Sequence, residues 1–223
     1  MFAVLLPVKE FHQSKQRLAG WLSPADREAL ARTMFEDVWM TLRSSIASEH
    51  LLVISSEPFV TNRCREEQIP CHVETDLPSH SKSVAEATRW AMRRGVTSLL
   101  SVPIDTPAIT VEEIATLAGL AHRYSVVVVP SADGTGTNAL LRTPPDVIAP
   151  QFGPGSCALH VAQANCSRLS HRVYPVASLA ADIDTLEDAE HFLSLNHPCR
   201  TTTLLREWFA ARNELRRGFA VCS

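Results

Sequence analysis

Apolar residues along this chain follow two alternating patterns. Uninterrupted runs at Phe2–Leu6, "HLLVIS" (50–55), "TSLLSV" (97–102) and "SVVVV" (125–129) have the length and β-branched content of strands buried on both faces. "PCHVET" (70–75) reads as a shorter strand. Between these runs the apolar residues fall at helical spacing. "LSPADREALARTMFEDVWMTL" opens with Ser23 as N-cap, Pro24 at the first helical position and Asp26 in the first turn. "SVAEATRWAMRRG" is a helix stopped by Gly95, and Thr110 with Glu113 forms a capping box for a helix running to Arg123. The alternation predicts an α/β fold, a doubly wound and mainly parallel sheet, with residues 1–223 as a single domain. Ligands of such sheets sit beyond the carboxyl ends of the strands, so the loops starting at Pro7, Pro103 and Pro130 are expected around one cleft. Residues 200–217 read as a C-terminal amphipathic helix. Its apolar face, including Leu204, Leu205, Trp208 and Phe209, needs a partner surface on its own domain or across a two-fold interface.

Composition narrows the class of ligand. The 223 residues carry a formal net charge of −3 and no run of lysines or arginines, so there is no field for a nucleic acid and small molecules are the expected partners. The six cysteines are scattered without a C-x-x-C pair or zinc spacing and read as reduced thiols. The opening apolar run stops at Pro7 and Lys9, too short for a signal peptide or a membrane span, and the expected location is cytoplasmic.

"SADGTGTNALLR" (131–142) contains G-x-G-x-x-A after a strand, yet it is a poor dinucleotide fingerprint. It lies past the midpoint of the chain, Pro144 and Pro145 leave hardly more than a helical turn after Ala139, and no carboxylate stands where the ribose would need one. A Walker A loop is excluded because no G-K-[ST] follows. Glycines can still turn backbone N–H groups toward an anion, with Thr135 and Thr137 adding hydroxyls; the alternative is an ordinary glycine turn. "FGPGSCALH" is a second glycine loop, with Gly153, Gly155 and Ser156 ahead of a helix N-terminus. Together the two loops suggest two phosphates, or a phosphate and a carboxylate.

Charged residues fall where such anions would need them. Lys9, Lys15 and Arg17 lie between the first strand and the first helix, where they either meet a polyphosphate or are solvated. Asp105 sits between two prolines in "PIDTPAIT". Asp182 and Asp184, two apart in an extended segment, point to one face and suit a divalent cation such as Mg²⁺; the alternative for Asp184 is a helix-start carboxylate beside Thr185.

"PVKEFHQSKQRL", "PIDTPAIT", "GTGTNALL", "FGPGS" with His160, and "DIDTLEDA" occur in an order and spacing that resemble the 2-phospholactate guanylyltransferase family of coenzyme F-420 biosynthesis, over about residues 3 to 195. The resemblance implies a fold like that of the molybdenum-cofactor guanylyltransferases and an enzyme that moves GMP from GTP to the phosphate of a three-carbon acid: 2-phospholactate, phosphoenolpyruvate or 3-phosphoglycerate. It makes Asp105, Asp182 and Asp184 ligands of Mg²⁺, in two copies, and Thr137, Gly153 and Ser156 the acceptor contacts. Lys9, Lys15 and Arg17 fall in the nucleotide phosphate loop, with Lys9, Lys15, Asp105 and Asp184 catalytic. Gly136, Asn138 and His160 are expected at the substrates, His160 either orienting a loop or touching the acceptor. Ser83 matches the base-contacting loop, although the family's leucine-asparagine signature is absent there. The resemblance also points to a homodimer. Where the family commonly has an aromatic residue after F-G-P-G-S this chain has Cys157, which favours the longer acceptor, 3-phosphoglycerate. The other readings are a different nucleotidyltransferase activity, a noncatalytic nucleotide-binding relative and, more distantly, a nicotinamide oxidoreductase.

Overall fold

The computed structural model describes residues 1–74 and 79–220, with 213–220 as backbone only. Thr75, which closes the expected third strand, and Cys222 lie outside the residues whose side chains are described; Cys64, Cys71, Cys157, Cys166 and Cys199 are free thiols. In chain order the elements are β1 (Phe2–Val8), α1 (Pro24–Ser45), β2 (Leu51–Ser55), α2 (Pro58–Glu66), β3 (Cys71–Val73), α3 (His80–Arg93), β4 (Ser98–Ser101) and α4 (Val111–Leu120). They continue with β5 (Val126–Pro130), β6 (Thr137–Arg142), α5 (Ser156–Cys166), β7 (His171–Val173), α6 (Leu186–Ser194) and α7 (Arg200–Ala220).

The helix starts follow their side-chain chemistry. Ser23 and Asp26 close a reciprocal capping box on α1, Thr110 and Glu113 close one on α4, and Thr185 and Asp188 close one on α6. One sheet runs in the order β3-β2-β1-β4-β6-β5-β7. It is mainly parallel, as expected, with β6 antiparallel to both of its neighbours. The sequence pattern assigns no element to residues 137–142, leaving room for hardly more than a helical turn after Ala139. They form a buried strand because Ala139, Leu140 and Leu141 fill the slot between β4 and β5. The reversal matters for the site: an antiparallel strand begins where its neighbours end, so Thr137 and Asn138 lie at the carboxyl edge of β4 and β5.

The sheet is covered on both faces. One cluster joins it to α1, α2 and α4 through Phe35, Trp39, Val60 and Leu117; another packs α3 on the opposite face through Val84, Ala87 and Ala91; α5 completes a third with Cys157 and Ala164. The apolar face of α7 finds its partner in its own chain. Leu205 is fully buried beside Leu30, Met34 and Phe192, and Phe209 and Trp208 stand 4.9 and 6.4 Å from Trp21. Asp37 of α1 caps α7 from outside, accepting from the N–H groups of Arg200 (3.1 Å) and Thr201 (2.8 Å) and the Thr201 hydroxyl (2.7 Å). No described helix is long and apolar enough to cross a membrane.

Candidate active site

The loops after β1, β4 and β5 open onto one groove of three compartments, of about 440, 440 and 550 Å³. Asp184 lines all three. The first also holds Lys9, Lys15, His80 and Asp105; the second His80, Asp105, Asn138 and Asp182; the third Arg17, Gly136, Thr137 and Gly153.

The loop after β1 is pinned by Phe11 in the main core and Leu18 in the cluster under α7. Between them Lys15 takes a left-handed conformation (φ 55°), and its side chain turns inward until only 5% is exposed. Its Nζ lies 3.1 Å from Asp105 Oδ2 and 2.8 Å from Asp184 Oδ1. Burial opposes the Lys15 charge, but the two carboxylates outweigh it and raise its pKa. Asp105 and the segment 182–184 are held together by the backbone, Ile183 N–H donating to Asp105 C=O at 3.1 Å. Ile183 is fully buried while Asp182 and Asp184 both line the groove, the alternation that two-residue spacing demands.

The two carboxylates have opposite electrostatics. Burial would raise Asp184, yet Lys15 and then Arg17, 3.9 Å away, hold it below the usual range. Asp182 has Asn138 Nδ2 at 2.8 Å and no cation; burial first and Asp105 second push it up to about 6. Asn138 also donates to Leu179 C=O, fixing the acidic segment to the start of β6.

The first glycine loop is organised around its own anion. Asp133 accepts from Ser131 Oγ (2.6 Å), Thr135 N–H (3.0 Å) and Thr135 Oγ1 (2.8 Å), while Gly136 N–H donates to Ser131 Oγ (2.7 Å) and Gly134 N–H to Ser131 C=O (2.9 Å). The expectation that this loop offers its N–H groups and the Thr135 hydroxyl to a phosphate is therefore not met, since all are used internally. It opens a strand and not a helix, which also disposes of the dinucleotide reading. A side chain at 136 is disfavoured because its Cβ would stand 2.8 Å from Ser131 Oγ, which would have to leave its bonds to Gly136 N–H and Asp133.

In the second loop Gly153 and Gly155 have φ of 124° and 72° and turn the chain into α5. Phe152 N–H donates to Ser81 Oγ (2.8 Å), docking the loop on the first turn of α3. Ser156 is fully buried and its Oγ has no hydrogen-bond partner. His160, also fully buried, accepts from Gln151 N–H at Nε2 (2.9 Å), so its proton is on Nδ1 and is donated to Thr137 Oγ1 (3.0 Å). That leaves the Thr137 hydroxyl hydrogen free to point into the groove. Burial and then Arg142 push His160 down to about 4, which keeps it neutral.

Over residues 2–208 the chain matches the family described as "Guanylyl transferase CofC like". The chain belongs to the CofC-like guanylyltransferase family. The phosphoenolpyruvate guanylyltransferase of Conexibacter woesei is 36% identical over 191 residues, covering 83% of this chain and 84% of that one. The 3-phospho-D-glycerate guanylyltransferase of Colwellia psychrerythraea is 30% identical over 195 residues, covering 87% and 92%. Among solved structures, a Desulfovibrio desulfuricans protein described as of nucleotide-diphospho-sugar transferase type has the same fold, with a TM-score of 0.77 at 18% identity over 94% of this chain and 96% of that one.

Within this CofC-like chain the groove gathers Lys9, Lys15, Arg17, Asp105, Gly136, Thr137, Asn138, Gly153, Asp182 and Asp184. The expectations for Ser83 and Cys157 change, and of the two readings of His160 the loop-orienting one fits the structure. Ser83 is fully buried and takes a 2.5 Å hydrogen bond from Lys9 Nζ, so it anchors that lysine and has no surface for a base. His160 sits behind Thr137 and orients it and the 151–152 backbone without facing the groove. Cys157 turns into the core beside Val126, Val128 and Leu140, so it is no wall of an acceptor pocket and the argument for a longer acid falls. The three aspartates line one compartment, but among the described residues no three such side chains stand as a ready-made cage for an ion, and Lys15 joins two of them.

Sequence reasoning missed Asp133 and Glu74. The A-D-G-T-G spacing is the signature of an Asp turn and was available for Asp133. Glu74, at the carboxyl end of β3, is buried and pairs with Lys9 at 3.1 Å, a contact that only the sheet order reveals.

Proposed function

We propose that this chain transfers GMP from GTP to the phosphate of a phosphorylated three-carbon acid, releasing pyrophosphate, in coenzyme F-420 biosynthesis. The observation that carries the proposal is the convergence of Asp105, Asp182 and Asp184 with Lys9, Lys15 and Thr137 at the carboxyl edge of the sheet, in a chain of this family. An oxygen of the acceptor phosphate attacks the α-phosphorus in line, the bond to the β-phosphate oxygen breaks, and pyrophosphate carries away the electron pair. That oxygen is already ionised, so no protein base is required, and His160 is neutral with both ring nitrogens engaged. The residues' task is to position and neutralise.

The donor set fits a divalent cation: three carboxylates line one compartment, and Asp182, raised by burial and then by Asp105, has no cation of its own among the described residues to neutralise it. Asp105, Asp182 and Asp184 would hold Mg²⁺, in two copies on the family pattern, and bound there it would screen phosphate charge and polarise the α-phosphate. Lys9, braced by Glu74 and Ser83, and Arg17, exposed at the rim, serve the triphosphate; the free Thr137 hydroxyl and the Gly153 backbone serve the acceptor's anionic groups, while Ser156, expected there from the motif, is fully buried and lines none of the three compartments. The protein works in the cytoplasm as a homodimer on the family pattern, with Leu205 of α7 spoken for within its own domain.

The test is pyrophosphate release with GTP, ATP, CTP or UTP against 3-phosphoglycerate, phosphoenolpyruvate and 2-phospholactate, with Asp105→Asn and Asp184→Asn as controls. GTP with one of the acids should turn over and both controls should fold but fail. Turnover with another nucleotide only, or none, would overturn the reading, and kcat/KM across the three acids names the acceptor.

A further inference from the structure

Lys15 does more in this site than stand in a phosphate loop. Its ammonium is buried against Asp105 and Asp184, two of the three carboxylates assigned above to the cation, and leaves out the third, Asp182, which faces Asn138. An ammonium within 3.1 Å of both carboxylates and a divalent ion on the same oxygens repel each other at close range, in a partly desolvated groove where screening is weak. The backbone cannot yield, because Phe11 and Leu18 anchor the loop in two different clusters. The side chain can: four methylenes let Nζ swing across the first compartment, away from Asp105 and Asp184 toward Lys9 and Gln13, where the nucleotide phosphates would lie.

We infer that Lys15 is a resident counter-ion that closes the carboxylate site to the metal until nucleotide phosphates draw its ammonium away, so that metal and nucleotide bind this chain cooperatively. The inference rests on the proposed function, because it takes Asp105 and Asp184 as metal ligands. By linkage the effect is reciprocal: whatever factor the nucleotide adds to metal affinity, the metal adds to nucleotide affinity.

The experiment uses the full chain and Mn²⁺ alone, without nucleotide, reading bound ion by loss of the free hydrated Mn²⁺ electron paramagnetic resonance signal. Lys15→Met should bind Mn²⁺ about tenfold tighter than the parent, Lys15→Arg should resemble the parent because it keeps the cation, and adding Asp184→Asn to Lys15→Met should abolish the gain. Lys15→Gln, uncharged but still a donor, replaces Lys15→Met if that variant folds poorly, and Mn²⁺ should raise its melting temperature more than the parent's. Equal or weaker Mn²⁺ binding by the uncharged variants, while Asp184→Asn still weakens the parent, overturns this inference and leaves the proposed function standing. Mn²⁺ binding that ignores Asp184 in every background overturns both.

Discussion

Replacing Asp182 by Asn should make the metal-free protein more stable while destroying its activity. Asp182 is pushed from 3.8 up to about 6, first by burial and then by Asp105. A carboxyl whose folded pKa lies above its unfolded value holds its proton better in the native state. Its contribution is therefore fully favourable below 3.8, declines as pH rises through about 6, and above that the native state carries an unwelcome charge. At about 1.4 kcal/mol per pH unit the penalty approaches 3 kcal/mol, and about 2 kcal/mol after allowance for residual solvent. Asn is nearly isosteric, and its carbonyl can still accept from Asn138 Nδ2, so little is lost against that gain. For a chain of this size about 2 kcal/mol raises Tm by about 4–8 °C. The assay is thermal or urea unfolding from pH 4 to 8 in a chelator, on parent and Asp182→Asn. The advantage of the variant should grow from near zero at pH 4 to its full value by pH 7.5, and Mg²⁺ should shrink it by stabilising only the parent. A variant that is less stable at pH 7.5, or an advantage flat across pH, refutes the reasoning.

Other consequences follow from single contacts. His160 has the opposite sign: with its folded pKa pushed down to about 4, its stabilisation is complete above 6.5 and fades between 6.5 and 4, so the parent's lead over His160→Leu, about 2 kcal/mol at neutral pH, should narrow in urea unfolding at pH 4; a constant lead means His160 does not titrate as placed. Gly136→Ala drives a Cβ to 2.8 Å from Ser131 Oγ and should raise KM for the acid severalfold with a stability loss of about 1 kcal/mol, read by steady-state kinetics and melting. Asp37→Ala leaves two N–H groups of α7 uncapped and should cost about 1–3 kcal/mol in urea unfolding with kcat unchanged, since Asp37 lies away from the groove.

The sequence announced what local chemistry alone decides. Ser23, Thr110 and Thr185 cap helices because an oxygen one turn ahead of an N–H needs no tertiary help. Uninterrupted valines and leucines mark β1, β2, β4 and β5 because a strand covered on both faces has few positions left for polar residues, and Asp182 and Asp184 share a face because Ile183 between them must be buried. Residues 137–142 gave no such signal. "TNALLR" has helix-forming residues, and it is a strand because two parallel neighbours leave a slot of one strand's width between them, which is tertiary competition overriding propensity.

The errors at the site share one cause. Ser83 and Cys157 were placed by where they fall in motifs, and a motif fixes chain position without fixing direction. A helix buries one face and shows the other: Ser83 faces Lys9 from inside α3, and Cys157 and His160 turn toward the sheet from the first turns of α5. What reaches the groove from that motif is Phe152, Gly153 and Pro154, and what His160 contributes is a proton held toward Thr137, on a strand that the sequence did not reveal. Chemistry is thereby divided between layers. Asp184, Lys9, Thr137 and Asn138 line the groove, while Glu74 and His160 stand behind them and fix where charge and hydrogen point. The front layer is legible because its residue types suit anions and cations. The rear layer has no compositional mark and exists only once β3, β6 and α5 have been brought beside the groove.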